Sequence, residues 1–134
     1  MGADDNIKTV QAVYEAFGRG DVAFILDAVT DDVDWASEAS STAAPWYGVR
    51  HGKAGVGEFF QAFGTTMEVE EFTPLTFGAN DDEVFAVVRF KTKALATGKR
   101  SAMNLHHWFT FRDGKIAMYR GTEDTIQTVE ALKA

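Results

Sequence analysis

The sequence predicts an α+β fold, in which helices gather on one face of a curved antiparallel sheet to make a cone with an internal pocket. Three observations predict it. In the first half of the chain, apolar residues recur three times at helical spacing, with one short alternating run among them. In the second half they alternate at period two through four successive runs. Turn signals separate those runs: Asn80-Asp81-Asp82, Thr97-Gly98 and Asp113-Gly114.

Asp4 or Asp5 is expected to cap a first helix, in which Val10, Val13, Tyr14 and Phe17 share a face; Gly18 or Gly20 ends it. Asp21 caps a short second helix that buries Phe24, Ile25, Ala28 and Val29, until Thr30-Asp31-Asp32 breaks the pattern. Val33, Trp35 and Ser37 then alternate with Asp34, Ala36 and Glu38 as a short strand. The stretch from Ala39 to His51 reads as a loop. It carries Trp46 and Tyr47, too much aromatic surface for a free segment, so it is expected to fold over something.

Gly52 to Gly64 forms a third helix with Val56, Phe59, Phe60 and Phe63 on one face. Its internal Gly55 and Gly57 cost about 1 kcal/mol each relative to alanine, so this helix depends on tertiary packing. A strand follows from Met67 to Phe77, with Pro74 at an edge or a bulge because proline brings no N–H to a ladder. Val84, Ala86, Val88 and Phe90 alternate in the next strand. The last strand runs from Lys115 to about Thr122, and Asp124 with Gln127 forms a capping-box pattern for a terminal helix over Ile126, Val129 and Leu132.

Met103, Leu105, His107, Phe109 and Phe111 share one strand face, so one imidazole stands in an apolar row. Two readings of His107 are open on the pattern alone: a core histidine satisfied by one hydrogen bond, or a proton donor in a pocket. The opposite row of the last two strands, His106, Trp108, Ile116 and Met118, is too apolar for free solvent. It predicts a homodimer through the outer sheet face, with covering by the terminal helix as the other reading.

At 134 residues the chain is read as one domain, 1–134, and 46% hydrophobic residues suit a packed core. A formal net charge of -7 repels phosphate backbones and anionic lipid, so neither nucleic acid nor membrane is an expected partner. There is no cysteine for disulfides, thiol chemistry or structural zinc. His106 and His107 point to opposite faces and do not grip one ion, so no metal is expected. Gly48-Val49-Arg50-His51-Gly52-Lys53-Ala54 fails the phosphate-loop pattern, and Gly52-Lys53-Ala54-Gly55-Val56-Gly57 fails the dinucleotide one; no cofactor is expected. The polar start Gly2-Ala3-Asp4-Asp5-Asn6 is not a signal peptide, and the expected location is the cytoplasm.

Several stretches resemble the nuclear transport factor 2-like superfamily, in particular its SnoaL-like and ketosteroid isomerase-like members. They are Phe17-Gly18-Arg19-Gly20-Asp21, Asp31-Asp32-Val33-Asp34-Trp35, Gly52-Lys53 with Glu58-Phe59-Phe60, Glu71-Phe72-Thr73-Pro74-Leu75, and Phe109 through Ile116. The resemblance covers nearly the whole chain. It implies a cone with a deep pocket, commonly dimeric through the sheet, a fold that hosts isomerases, cyclases, hydrolases and non-catalytic binders alike.

Aligned without gaps from Gly20-Asp21, the ketosteroid isomerase's oxyanion tyrosine falls on Val13, one residue before Tyr14. Its general-base aspartate falls on Ser37, and the aspartate it keeps protonated falls on His107. The acid/base aspartate of SnoaL-type cyclases falls on Gly121. Most of the known machinery is thus absent. The resemblance implies that Tyr119, Gly121 and Glu123 face the pocket, leaving Ile116, Met118 and Arg120 outside.

The expected site has His107 at its centre, with Glu123 or Tyr14 orienting it as the other candidate catalytic groups. Phe17, Trp35, Ser37, Trp46, Phe59 and Phe63 are expected around a ligand, together with Phe90, Leu105, Phe109, Tyr119 and Gly121. The ligand implied is small, apolar and oxygenated, of polyketide, terpenoid or steroid-like type. Acid/base isomerase, cyclase or hydrolase activity at His107 is one reading; a non-catalytic binding or dimerisation module is the other.

Overall fold

The computed structural model describes residues 2–134. Helices α1 (Ala3–Gly18) and α2 (Val22–Asp27) lead into β1 (Val29–Ser37); β2 (Gly48–His51) runs directly into α3 (Gly52–Thr66). Strands β3 (Met67–Ala79), β4 (Glu83–Ala94), β5 (Arg100–Arg112) and β6 (Lys115–Thr122) follow, then α4 (Thr125–Leu132). All six strands form one sheet in the order β2-β1-β6-β5-β4-β3. The α+β cone expected from the sequence is the fold observed.

The run from β3 to β6 is antiparallel at every step, and Asp113 and Gly114 make the β5–β6 turn at φ 52° and 80°, the positive values a tight hairpin requires. One pairing departs from the expectation. β1 lies parallel to β6, with Trp35 beside Tyr119 and Ser37 beside Gly121, because α3 and three intervening strands carry the chain back from the other edge. Pro74 sits on the edge strand β3, next to a register shift between Pro74 and Thr76, where a missing N–H breaks no central ladder.

Five local expectations are corrected. Ile116, placed on the outer face with Trp108 and Met118, is fully buried. Thr110 pairs with Met118 but Phe111 pairs with Ile116, so one extra β6 residue at this bulge reverses the parity and turns Ile116 to the core. β1 starts at Val29 rather than Val33, and Phe24 stays 40% exposed beneath the Arg19 guanidinium instead of entering the core. The loop from Ala39 to His51 ends in a strand, β2, that pairs Arg50 with Trp35. Gly2 rather than Asp4 or Asp5 occupies the N-cap of α1; both aspartates lie in its first turn, where the helix dipole favours them.

Asp124 does occupy the N-cap of α4, but its side chain caps no backbone N–H. Gln127 donates to its carboxylate at 2.9 Å and otherwise exchanges two hydrogen bonds with the backbone of Ala102, which pins α4 to β5. Gly55 explains its own presence in α3: a Cβ there would lie 3.1 Å from Cβ of Arg50, so glycine lets the helix pack against β2. The core lies between the helices and the inner sheet face, and Val10, Ile25, Val56, Val88 and Phe109 are almost fully buried in it.

Candidate functional site

The inner row of β5 carries His107 between Leu105 and Phe109, all three buried. On the neighbouring strands its cross-strand partners are Ala86 and Gly121, so neither sets a bulky side chain of its own beside the imidazole. Tyr14 approaches from α1, at the helical spacing that aims Val10, Val13 and Tyr14 at the sheet, and its hydroxyl lies 2.7 Å from His107 Nδ1.

Burial, and secondarily the neighbouring His106, lowers the His107 pKa from the usual 6.5 to about 3, so the ring is neutral at physiological pH. Burial, reinforced by Tyr119, raises that of Tyr14, which keeps its proton. With the ring hydrogen on Nε2, the Tyr14 O–H donates to Nδ1, its one partner in the protein. Nε2 has no protein partner and faces a cavity.

That cavity has a volume of about 80 Å³. Its walls include the pocket residues expected from the sequence: Tyr14, Phe17, Trp46, Phe59 and Phe63 from the helices and the β1–β2 loop, Trp35, Ser37, Phe90, Leu105, His107, Phe109, Tyr119 and Gly121 from the sheet, and Glu123 just beyond β6. The volume is small because rings fill the cone. Trp35 stacks at 4.3 Å on Tyr119, Tyr14 meets Phe72 edge-on at 5.1 Å, and Trp46 meets Phe63 edge-on at 5.1 Å.

Val13, Phe60, Phe72 and Thr122 also line the cavity and are not among the residues the sequence places around a ligand. The bulge before Pro74 hides the parity of Phe72; its pairing with Phe90, already placed in the pocket, is the signal that finds it. Trp46 and Tyr47 do fold over something, since Trp46 is 3% exposed and closes one end of the cavity.

Of the two groups expected to orient His107, Tyr14 does so and Glu123 does not. Glu123 Oε2 accepts from Tyr47 Oη at 2.7 Å and from Thr128 Oγ1 at 2.5 Å, tying the β1–β2 loop and α4 together at the cavity end. Beside Glu123, and above all through burial, the pKa of Tyr47 is raised. Among the described residues, no three His, Cys, Asp or Glu side chains converge as metal ligands, and no helix is long and apolar enough to cross a membrane.

The SnoaL-like domain profile matches residues 10–119, from the buried face of α1 to the inner face of β6. The chain belongs to the SnoaL-like domain family. Solved structures of the nuclear transport factor 2-like superfamily share the fold of this SnoaL-like domain. One is a protein of unknown function from Burkholderia pseudomallei, with a TM-score of 0.90 at 24% identity over 97% of this chain and 98% of the other. TerC, co-crystallised with polyporic acid, has a TM-score of 0.85 at 26% identity over 97% and 99%. A Xanthomonas campestris pv. campestris protein provisionally named a polyketide cyclase has a TM-score of 0.79 at 20% identity over 97% and 98%. No curated protein matches the SnoaL-like chain in sequence.

Proposed function

We propose that this SnoaL-like domain binds a small, apolar, oxygenated molecule inside its cone, and that His107 is the polar contact that orients it. The observation that carries the reading is the Tyr14–His107 hydrogen bond at 2.7 Å in an otherwise aromatic cavity. It fixes one imidazole nitrogen and leaves the other for a ligand. A core histidine with no further role has no need of open space at its second nitrogen. TerC, a relative of the same fold, was crystallised with polyporic acid, an oxygenated small molecule, which supports the same class of ligand here.

The residues favour binding, or catalysis by proton donation, over proton abstraction from carbon. His107 is held neutral with its hydrogen outward, Ser37 and Gly121 stand where carboxylate bases are found in the relatives resembled, and Glu123 Oε2 is committed to Tyr47 and Thr128. At about 80 Å³ the cavity suits a single ring; ordinary ligand pockets reach roughly 300–1,000 Å³. A polyketide, terpenoid or steroid-like guest of several rings requires the half-buried Phe17, Phe60 and Phe72 to swing aside.

Native mass spectrometry of the purified protein tests the reading, with His107→Ala as the control. A retained or screened ligand is expected to lose about 1 to 3 kcal/mol of affinity in the variant, the value of one buried hydrogen bond. A sharp fall in melting temperature with unchanged affinity makes His107 structural and defeats the proposal.

A further inference from the structure

Position 121 of β6 is a glycine that faces the cavity, cross-strand from His107. The space a side chain would take there is already occupied. A Cβ on Gly121 would lie 2.2 Å from the Tyr119 hydroxyl oxygen and 3.4 Å from His107 Cδ2, the ring carbon bonded to Nε2. Tyr119 therefore folds back over its second neighbour along the strand, and its hydroxyl shares one small volume with the Nε2 edge of the imidazole. The ring centroids of the two residues are 5.1 Å apart at an interplanar angle of 76°, so the imidazole is edge-on to the phenol.

Tyr119 is 6% exposed, and its hydroxyl, which makes no hydrogen bond to the protein, borders the cavity. His107 Nε2 makes none either. On the same wall, the Trp35 indole N–H is buried and unpaired, and that ring stacks on Tyr119. Buried polar groups are rarely left unmatched, since each costs about 1–3 kcal/mol. Three groups without a protein partner belong to residues lining this cavity, and each has a hydrogen to donate: an imidazole N–H, a phenol O–H and an indole N–H. Burial raises the Tyr119 pKa, so its hydroxyl remains protonated.

We propose that Tyr119 and His107 form a two-donor clasp for one acceptor oxygen of the ligand, a carbonyl, enolate or phenolate oxygen, and that Gly121 makes the clasp possible by leaving room for the Tyr119 hydroxyl. A protonated amine is disfavoured, because the two N–H groups accept no hydrogen bond and the Tyr119 hydroxyl offers a cation a single neutral oxygen. The inference rests on the ligand-pocket reading and narrows it to acceptor-bearing ligands.

Three matched aromatic probes, followed by fluorine NMR titration of the full chain, separate the two: 4-fluoroacetophenone, its hydrocarbon isostere 4-fluorocumene, and 4-fluoro-α-methylbenzylamine. The ketone is expected to bind about tenfold more tightly than the hydrocarbon, and the amine more weakly than either. Tyr119→Phe, which removes one oxygen and keeps the ring, reduces the ketone's advantage to what His107 alone supplies and leaves the hydrocarbon's affinity unchanged. Nitrogen-15 NMR of the histidine-labelled free protein is expected to show His107 protonated at Nε2. Equal affinities for ketone and hydrocarbon overturn the clasp while leaving the pocket standing, as does a Tyr119→Phe variant that keeps the full preference, or a hydrogen on Nδ1. Failure of all three probes to bind overturns both readings.

Discussion

Tyr14 and His107 are 93 positions apart in the chain and 2.7 Å apart at their polar atoms. The pair joins the first helix to a central strand, and it sets what the cavity presents. A histidine free to choose its tautomer offers a guest either a donor or a lone pair. Held by a phenol on Nδ1, it offers a donor. The chemistry in reach is therefore recognition of an oxygen, or stabilisation of negative charge developing on one.

His107 makes stability depend on pH. Its pKa is about 3 in the folded protein against about 6.5 when the chain unfolds, so below pH 6.5 the unfolded state binds a proton that the folded state does not. Stability from this residue is complete above pH 6.5 and is lost as pH falls toward 3, at up to about 1.4 kcal/mol per unit. His107→Gln retains an acceptor for Tyr14 and does not titrate. Urea denaturation between pH 7 and 4 is expected to show a shallower fall for the variant; parallel curves count against a buried neutral imidazole.

The bulge in β6 makes a prediction by parity. Ile116 is fully buried opposite Phe111, whereas Met118 is half-buried on the outer face opposite Thr110. Ile116→Ala should cost about 2–5 kcal/mol and Met118→Ala far less. Similar costs, measured by chemical denaturation, would put both residues on one face and remove the bulge.

The same bulge shows where the sequence stops being informative. The alternation of Met103 through Phe111 placed His107 correctly, because β5 carries no irregularity through that row and its neighbours confirm the face. Ile116 was misplaced because counting by twos from Met118 assumes a regular ladder, and one extra residue is invisible to periodicity. β2 was missed for a related reason: Gly48–His51 is four mostly exposed residues, and a short edge strand has no apolar row to announce it. The Tyr14–His107 bond was legible as two residues on two inward faces. That Tyr14, and not Glu123, would take the imidazole depended on the loop carrying Tyr47, whose path no local pattern encodes.

With Ile116 removed, the outer face still carries apolar surface. Phe85 and Trp108 lie parallel at 6.5 Å and remain 43% and 41% exposed, and Trp108 Nε1 donates to Glu83 at 2.7 Å. We propose that a second copy covers this patch in a homodimer, as the resemblance implied. Sedimentation at micromolar concentration is expected to show a dimer for the wild type and a monomer for Trp108→Glu. A monomeric wild type ends this reading of the face.

The last prediction concerns access. Trp46 lines the cavity with Tyr47 packed against it, yet the loop before them has little backbone support: Glu38 N–H donates to Gly121 at 2.8 Å and Tyr47 N–H to Ala44 at 3.1 Å. Most of the loop's attachment therefore rests on side chains, on Trp46 against Phe63 and on the Tyr47 hydroxyl donating to Glu123. A hydrogen bond to an ionised group is worth about 1.5–3 kcal/mol, enough to hold such a segment closed and too little to hold it permanently. Tyr47→Phe removes that bond without changing the ring's packing. Hydrogen exchange at the amides of residues 39–47 should accelerate by about tenfold or more in the variant, by the same reckoning, while the strands β4 and β5 exchange as before. Unchanged exchange in the loop would show that Trp46 and the Arg50 guanidinium, which donates to the Pro45 carbonyl at 2.8 Å, hold it without the Tyr47 bond, and that the Glu123 carboxylate anchors only α4.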